Sequence, residues 1–310
     1  MHKHRGSALL TALFMVTLVA IMATAISVRV RSDIHRTHLI AATDNLYLAS
    51  QAVTLWAMDR LLDPKENLGK ATAKGRVLAL PSTLSNLYPN IKLSGELVDL
   101  QARFNLNNLF DERYQFVFYG LLNKMNIGSN PLERKNLMDA VSNWIQPLKE
   151  GATHDEWQDK YARQKPTYLP SHMPMAHISE LRLVYGVNAK QYQQLAAVLT
   201  TLPETTPVNL NTASKTLLMS LSAGIKEDDV THILQKRHSK PFRSPQEVAP
   251  FISKYHIQEE VLTLESQYFL AVATARFEDL SMQTYVVLRR QKNRKGIWHV
   301  SIISQSINTP

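Results

Sequence analysis

The sequence predicts an α+β protein in which a long N-terminal helix, membrane-spanning at first and amphipathic beyond, packs on an antiparallel β-sheet with a large α-helical domain inserted between its strands. Three observations lead there. Residues 7–28 form a run of 22 residues without charge, and neither Pro nor Gly occurs between it and Pro64. Residues 96–105 alternate apolar and polar side chains, and three more strand-like runs close the chain. Between these strands lie about 160 residues of mostly helical pattern.

The uncharged run comes first. At 1.5 Å per residue it extends roughly 33 Å, enough to cross a hydrocarbon core of about 30 Å. With no helix breaker before Pro64, one helix can run from residue 7 to 63, about 85 Å in all. Its second part, residues 29–63, carries Leu48, Ala52, Leu55, Trp56 and Leu62 at helical spacing, a face expected to lie on the globular body. Pro64 and Gly69 end it. Lys3 and Arg5 before the span are matched by Arg29, Arg31 and Arg36 after it, so flanking charge does not set orientation. A cleaved export signal is the competing reading, with Ala23-Thr24-Ala25 as its cleavage site.

In residues 96–105, Val98, Leu100, Ala102 and Phe104 fall on one face and Asp99, Gln101 and Arg103 on the other, the pattern of a half-buried strand. The runs at 268–275, 282–290 and 297–304 are separated by short polar turns and predict a meander. Three strands alone would be marginal, which favours one sheet built from residues 64–106 and 267–310 over two domains in series. The intervening 107–266 would be the helical insertion, with segments at 112–125, 131–144, 178–184, 189–200, 214–222, 227–236 and 244–251 divided by Pro and Gly signals. No internal repeat or low-complexity tract is evident.

Composition narrows the function. With 45% hydrophobic and 20% charged residues the chain is of globular type, and its lack of cysteine excludes disulfides. The net charge of +9 suggests contact with acidic surfaces, nucleic acid or lipid headgroups, but a solvated basic surface is the more common explanation. No nucleophile elbow, phosphate-binding glycine loop, metalloprotease helix or paired-cysteine motif is present, so nothing supports an enzyme.

The junction Arg5-Gly6-Ser7-Ala8-Leu9-Leu10 resembles the leader of type IV pilins and type II secretion pseudopilins, cut on the cytoplasmic side with the apolar segment retained. Most such subunits carry Glu at the fifth position after the cleavage site, where this chain has Thr11. A carboxylate within a span costs about 2.5–3.5 kcal/mol and is kept only where it finds a partner. Absence of that Glu resembles the minor pseudopilin family called general secretion pathway protein K. Three phrases strengthen the resemblance: Asp99 with Arg103-Phe104-Asn105-Leu106-Asn107-Asn108-Leu109, Glu180 to Val184 with Gly186, and Val208-Asn209 with Asn211-Thr212-Ala213-Ser214. The asparagines in these phrases are expected to cap helices.

What the resemblance implies is a pilin-like fold and a subunit capping the tip of the pseudopilus, helping to initiate its assembly for export of folded proteins. Residues 1–6 would be the leader, removed by the prepilin peptidase between Gly6 and Ser7, with the new terminus methylated. Residues 7–28 would span the bacterial inner membrane once, leaving the bulk in the periplasm. Partners would be the minor pseudopilins I and J and the inner-membrane assembly platform, with Thr11 marking a subunit that has none above it. Relatives often carry a calcium-like acidic cluster after a Trp-Ile pair. Here Asn143-Trp144-Ile145-Gln146-Pro147-Leu148 lacks those carboxylates, and Asp155, Glu156 and Asp159 are the remaining candidates for a weak calcium site, against a solvated acidic loop. His154, His172 and His177 match no zinc spacing and are expected at the surface or at caps.

The alternative function is DNA uptake. Residues 208–251 resemble a helix-hairpin-helix module, which holds phosphate on the backbone of a Gly-Ile-Gly hairpin. This chain offers Gly224-Ile225-Lys226 followed by Glu227, Asp228 and Asp229, which puts negative charge where phosphate would sit.

Overall fold

A computed structural model describes residues 5–72, 75–148, 151 and 154–309, so residues 1–4 of the expected leader lie outside the described residues. The first helix, α1 (Arg5–Leu62), is unbroken over 58 residues. It is followed by β1 (Arg76–Ala79) and β2 (Lys92–Asp99), and the chain then leaves the sheet. The excursion contains β3 (Phe104–Asn105), α2 (Glu112–Lys124), α3 (Pro131–Ile145), α4 (Glu156–Ala162), α5 (Ala189–Ala196), β4 (Leu199–Thr200), β5 (Val208–Asn209), α6 (Lys215–Ser220), α7 (Glu227–Ser239), α8 (Ala249–Lys254) and β6 (Leu262–Thr263). The chain returns in β7 (Tyr268–Phe277), β8 (Leu280–Lys292) and β9 (Trp298–Ile307).

The main sheet has the order β1-β2-β7-β8-β9 with every pair antiparallel. Strand β2 pairs with β7 from Lys92 opposite Arg276 to Asp99 opposite Phe269, joining residues that the excursion separates in sequence. One apolar core lies between α1 and this sheet, a second fills the helical body, and Leu100, Leu202 and Tyr268 form a small cluster between them.

The expected strand at 96–105 stops at Asp99. The Asp99 carboxylate accepts the N–H of Gln101 and bends residues 100–102 into a 3₁₀ turn, where Leu100, Gln101 and Ala102 are all buried. Local side-chain capping competes with the β ladder at an Asp, and here it wins. The segment expected as helix at 189–200 ends at Ala196, and Leu199–Thr200 is a strand. Residues 178–183 are 3₁₀ rather than α.

The helical body is built of two units of like plan, although no repeat is evident in the sequence. Strand β3 pairs in parallel with β4, Phe104 opposite Leu199 and Asn105 opposite Thr200, while β5 pairs in parallel with β6, Val208 opposite Leu262 and Asn209 opposite Thr263. Each unit thus opens on an apolar-Asn-Leu-Asn phrase and closes on Leu-Thr. Within each unit a residue with positive φ, Asn126 or Gly224, precedes a buried Ile127 or Ile225 in the hairpin between helices.

The second asparagine of each phrase does the same work in both units. Asn107 donates Nδ2 to the carbonyls of Met175 (3.0 Å) and Leu202 (2.9 Å) and accepts the Met175 N–H (2.9 Å). Asn211 donates to the carbonyls of Phe242 (2.9 Å) and Leu264 (3.0 Å) and accepts the Phe242 N–H (2.8 Å). A primary amide mimics a strand edge and satisfies loop backbone that would otherwise be buried unpaired. The expectation of capping therefore holds for Asn105, which caps the turn Leu106–Phe110, but Asn107 and Asn211 are clamps between distant loops. The likeness escapes notice in the sequence because its signature is short and the first unit carries α4 and its flanking loops, which the second lacks.

Asn107→Ala and Asn211→Ala each strand three backbone groups, and each is expected to cost more than about 2 kcal/mol in a denaturant titration. A loss below about 0.5 kcal/mol in either variant would show that the clamp carries no stability.

Candidate assembly site

Helix α1 carries Gly6, Ser7 and Thr11, the residues expected to matter for processing and assembly. In its first part Leu9, Leu10, Leu13, Phe14, Val16 and Val19 are exposed, and the stretch is long and apolar enough to cross a membrane with none of it buried against the protein. Thr11 donates its hydroxyl to the carbonyl of Ala8 at 3.0 Å, so its one polar group is satisfied within the helix, as are those of Thr17 and Thr24. Of Gly6 and Ser7 only the helical backbone is described.

Past the span, α1 meets the sheet through Ala42, Leu46, Ala49, Val53, Ala57 and Leu61, all buried. The contact is close because it uses small residues: a Cβ on Gly95 of β2 would collide with Val53 Cγ1. This corrects the expected face. Trp56 is buried, but Leu48, Leu55 and Leu62 are 56%, 66% and 43% exposed. Their spacing of seven is that of a stripe for a neighbouring helix, on the side away from Leu46, Val53 and Leu61, which face the sheet.

The acidic candidates do not assemble a cation cage. Asp155 caps α4, accepting the N–H groups of Trp157 and Gln158 on Oδ1 and the Asn143 amide on Oδ2. Burial opposes its ionisation, but the bonds from Asn143, Gln158 and Trp157 outweigh this and hold its pKa below the usual carboxylate value. Asp159 lies 3.4 Å from the His154 ring and Glu156 is exposed. Among the described residues no three His, Asp or Glu side chains converge, and calcium requires six to eight oxygens. His177 is a cap, sharing a capping box with Glu180. In the hairpin before α7, Lys215 pairs with Glu227 and Lys254 with Asp229, so carboxylates occupy the helix N-terminus.

The helical body joins the sheet at a neck built on Asp99. This carboxylate is fully buried, with no cation in ion-pair range among the described residues. Besides Gln101 N–H it accepts the hydroxyls of Thr212 (2.5 Å) and Ser266 (2.7 Å) and the amide of Asn209 (3.1 Å). Burial raises its pKa above the ordinary carboxylate value, against the opposing effect of those donors. Gln101 beside it accepts the N–H groups of Gln267 and Tyr268 and donates to the Pro207 carbonyl. Four segments are tied at one point: the end of β2, the start of the second unit, the link before it, and the chain returning into β7. The loop after α1 also touches the second unit, Lys70 donating to the Ser239 carbonyl, so the helical body sits at the end of α1 away from its membrane-spanning part.

An apolar anchor continuing into a helix laid on an antiparallel sheet, with a helical body inserted between two neighbouring strands, defines a membrane-anchored pseudopilin. Two family models, both described as type II secretion system, protein K, match this chain, one over residues 102–204 and the other over residues 208–255, one on each unit of the helical body. Type II secretion system protein K of Klebsiella pneumoniae is 31% identical over 89% of this chain and 87% of its own length. The protein K of Aeromonas hydrophila is 28% identical over 94% and 95%. A chain of the crystal structure of the GspK-GspI-GspJ complex from enterotoxigenic Escherichia coli shares the fold, with a TM-score of 0.64 at 18% identity over 89% of this chain and all of that one. The chain belongs to the type II secretion system protein K family and is a minor pseudopilin of that system.

The buried carboxylate makes a signed prediction. Its folded-state pKa is raised, so the folded protein retains this proton to higher pH than the unfolded chain, and the Asp99 contribution to stability falls as pH rises from about 4 through the folded pKa. The stability of Asp99→Asn relative to the parent is therefore expected to improve with pH across that window, measured by denaturant titrations at successive pH values. A difference that is flat or shrinks with pH would contradict the raised pKa.

Proposed function

We propose that this minor pseudopilin caps the tip of the type II secretion pseudopilus and helps to initiate its assembly, with the bulk of the chain in the periplasm. The observation that carries the reading is the helical body at the end of α1 remote from the membrane. A subunit stacked above would need the space that body fills. The satisfied Thr11 hydroxyl supports it: nothing at that position seeks the terminal amine of another subunit. Its partners on this reading are pseudopilins I and J, the companions of GspK in the Escherichia coli complex, with the stripe of Leu48, Leu55 and Leu62 as the surface offered to their helices. On the same reading the prepilin peptidase removes the leader before assembly, and the inner-membrane assembly platform is a further partner. The DNA-uptake alternative is disfavoured by the carboxylates at the start of α7.

Leu55→Asp is expected to weaken co-purification with pseudopilins I and J by at least tenfold, about 1.4 kcal/mol or more, while leaving the melting temperature nearly unchanged because Leu55 touches solvent. Undiminished recovery of the complex would remove the stripe from the interface. Processing supplies a separate test. The mature N-terminus is expected at Ser7, methylated, with processing abolished in Gly6→Leu. Mass spectrometry finding Ile26 as the first residue would establish a cleaved export signal instead.

A further inference from the structure

Between the sheet and the second helical unit runs a cleft of about 640 Å³, bounded by the loop after α1, the start of the second unit and the ends of β8 and β9. Arg290 of β8 lines it. The residue is only 7% exposed, takes part in no ion pair among the described residues, and its Nε has no hydrogen-bond acceptor. A buried guanidinium without an acceptor is costly, and burial lowers its pKa accordingly. Its Cζ lies 3.7 Å from the centre of the Trp298 ring, and the Lys292 ammonium lies 4.5 Å from the same ring. Two cations thus converge on one indole, with Lys65 and Arg243 also on the cleft wall. Of the two lining carboxylates, Glu66 is engaged by Arg60 at 3.5 Å, and Glu265, outside ion-pair distance, attracts the Arg290 guanidinium and offsets part of its burial.

We infer that this cleft is a binding site for a carboxylate of an acidic peptide segment, held by the Arg290 fork with Lys292 beside it. A guanidinium stacked on an aromatic face keeps its N–H edge free for a planar oxyanion, and the carboxylate matches that fork with two parallel hydrogen bonds. An incoming anion also offsets the repulsion between Arg290 and Lys292. Lys65 and Arg243 line the same cleft, so acidic side chains neighbouring the bound carboxylate have cations within the site to meet. The inference rests on the cleft alone and stands whether or not the chain caps a filament.

The test is calorimetric titration of the full-length chain in detergent micelles with hexaglutamate, hexaglutamine and inorganic phosphate. Hexaglutamate is expected to bind one to one, to weaken about tenfold in Arg290→Met, and to weaken roughly threefold in Lys292→Gln. Lys292 is exposed, so its variant folds even if the buried Arg290 variant does not. Hexaglutamine is expected to give no binding. Absence of hexaglutamate binding at millimolar concentration overturns the inference, and so does binding that neither variant weakens, which would be diffuse attraction to a basic chain. Phosphate binding as tightly as hexaglutamate, with the same dependence on the two variants, would make this a free-anion site and overturn the peptide assignment.

Discussion

A single carboxylate without a counter-ion holds the two halves of this molecule in register. Asp99 sits where the chain leaves the sheet, and its donors come from the turn it caps, from the second helical unit and from the residue that leads back into the sheet. A buried charge of this kind is tolerated only when its oxygens are fully hydrogen-bonded, so the donors must be held where they are. That requirement fixes the orientation of the insertion relative to β2 and β7. Gln101 beside it, bonded to Gln267, Tyr268 and Pro207, and the small Leu100-Leu202-Tyr268 cluster reinforce the same junction.

The same logic is repeated inside the insertion. Each unit is closed by a pair of two-residue parallel strands, too short to be stable alone, and is made rigid by an asparagine that supplies the missing hydrogen bonds to three loop groups. The two units share this frame while differing in everything placed on it. The first carries α4 and the cap formed by Asp155, and the second carries the hairpin with its cluster of carboxylates.

Helix α1 has two apolar faces. Ala49, Val53 and Ala57, with the facing Gly95, let one lie close on the sheet beside Leu46 and Leu61, whereas Leu48, Leu55 and Leu62 project from the other side. A helix with one face already covered by its own sheet and a leucine stripe left outside is suited to lateral association. The neck places the helical body at one end of this helix, so the leucine stripe and that body are separate parts of the molecule.

Much of this was legible in the sequence, because it depends on local pattern. The uncharged run and the lack of helix breakers before Pro64 determine α1, alternation determines the closing meander, and the leader junction with Thr11 and the asparagine phrases point to the protein K family. What the tertiary structure decided depends on partners distant in the chain. Alternation carried the strand at 96–105 beyond Asp99: the cap on the Gln101 N–H that ends it is local, but the Thr212 and Ser266 hydroxyls that hold the carboxylate there lie far along the chain. Helical spacing identified α1 as two-faced but assigned Leu48, Leu55 and Leu62 to the sheet, since the pattern cannot show that Gly95 and Val53 demand a close contact. The likeness of the two units stayed hidden for the same reason. Its equivalence lies in which backbone groups Asn107 and Asn211 reach, and hydrogen bonds to loops dozens of residues away leave almost no trace in local spacing.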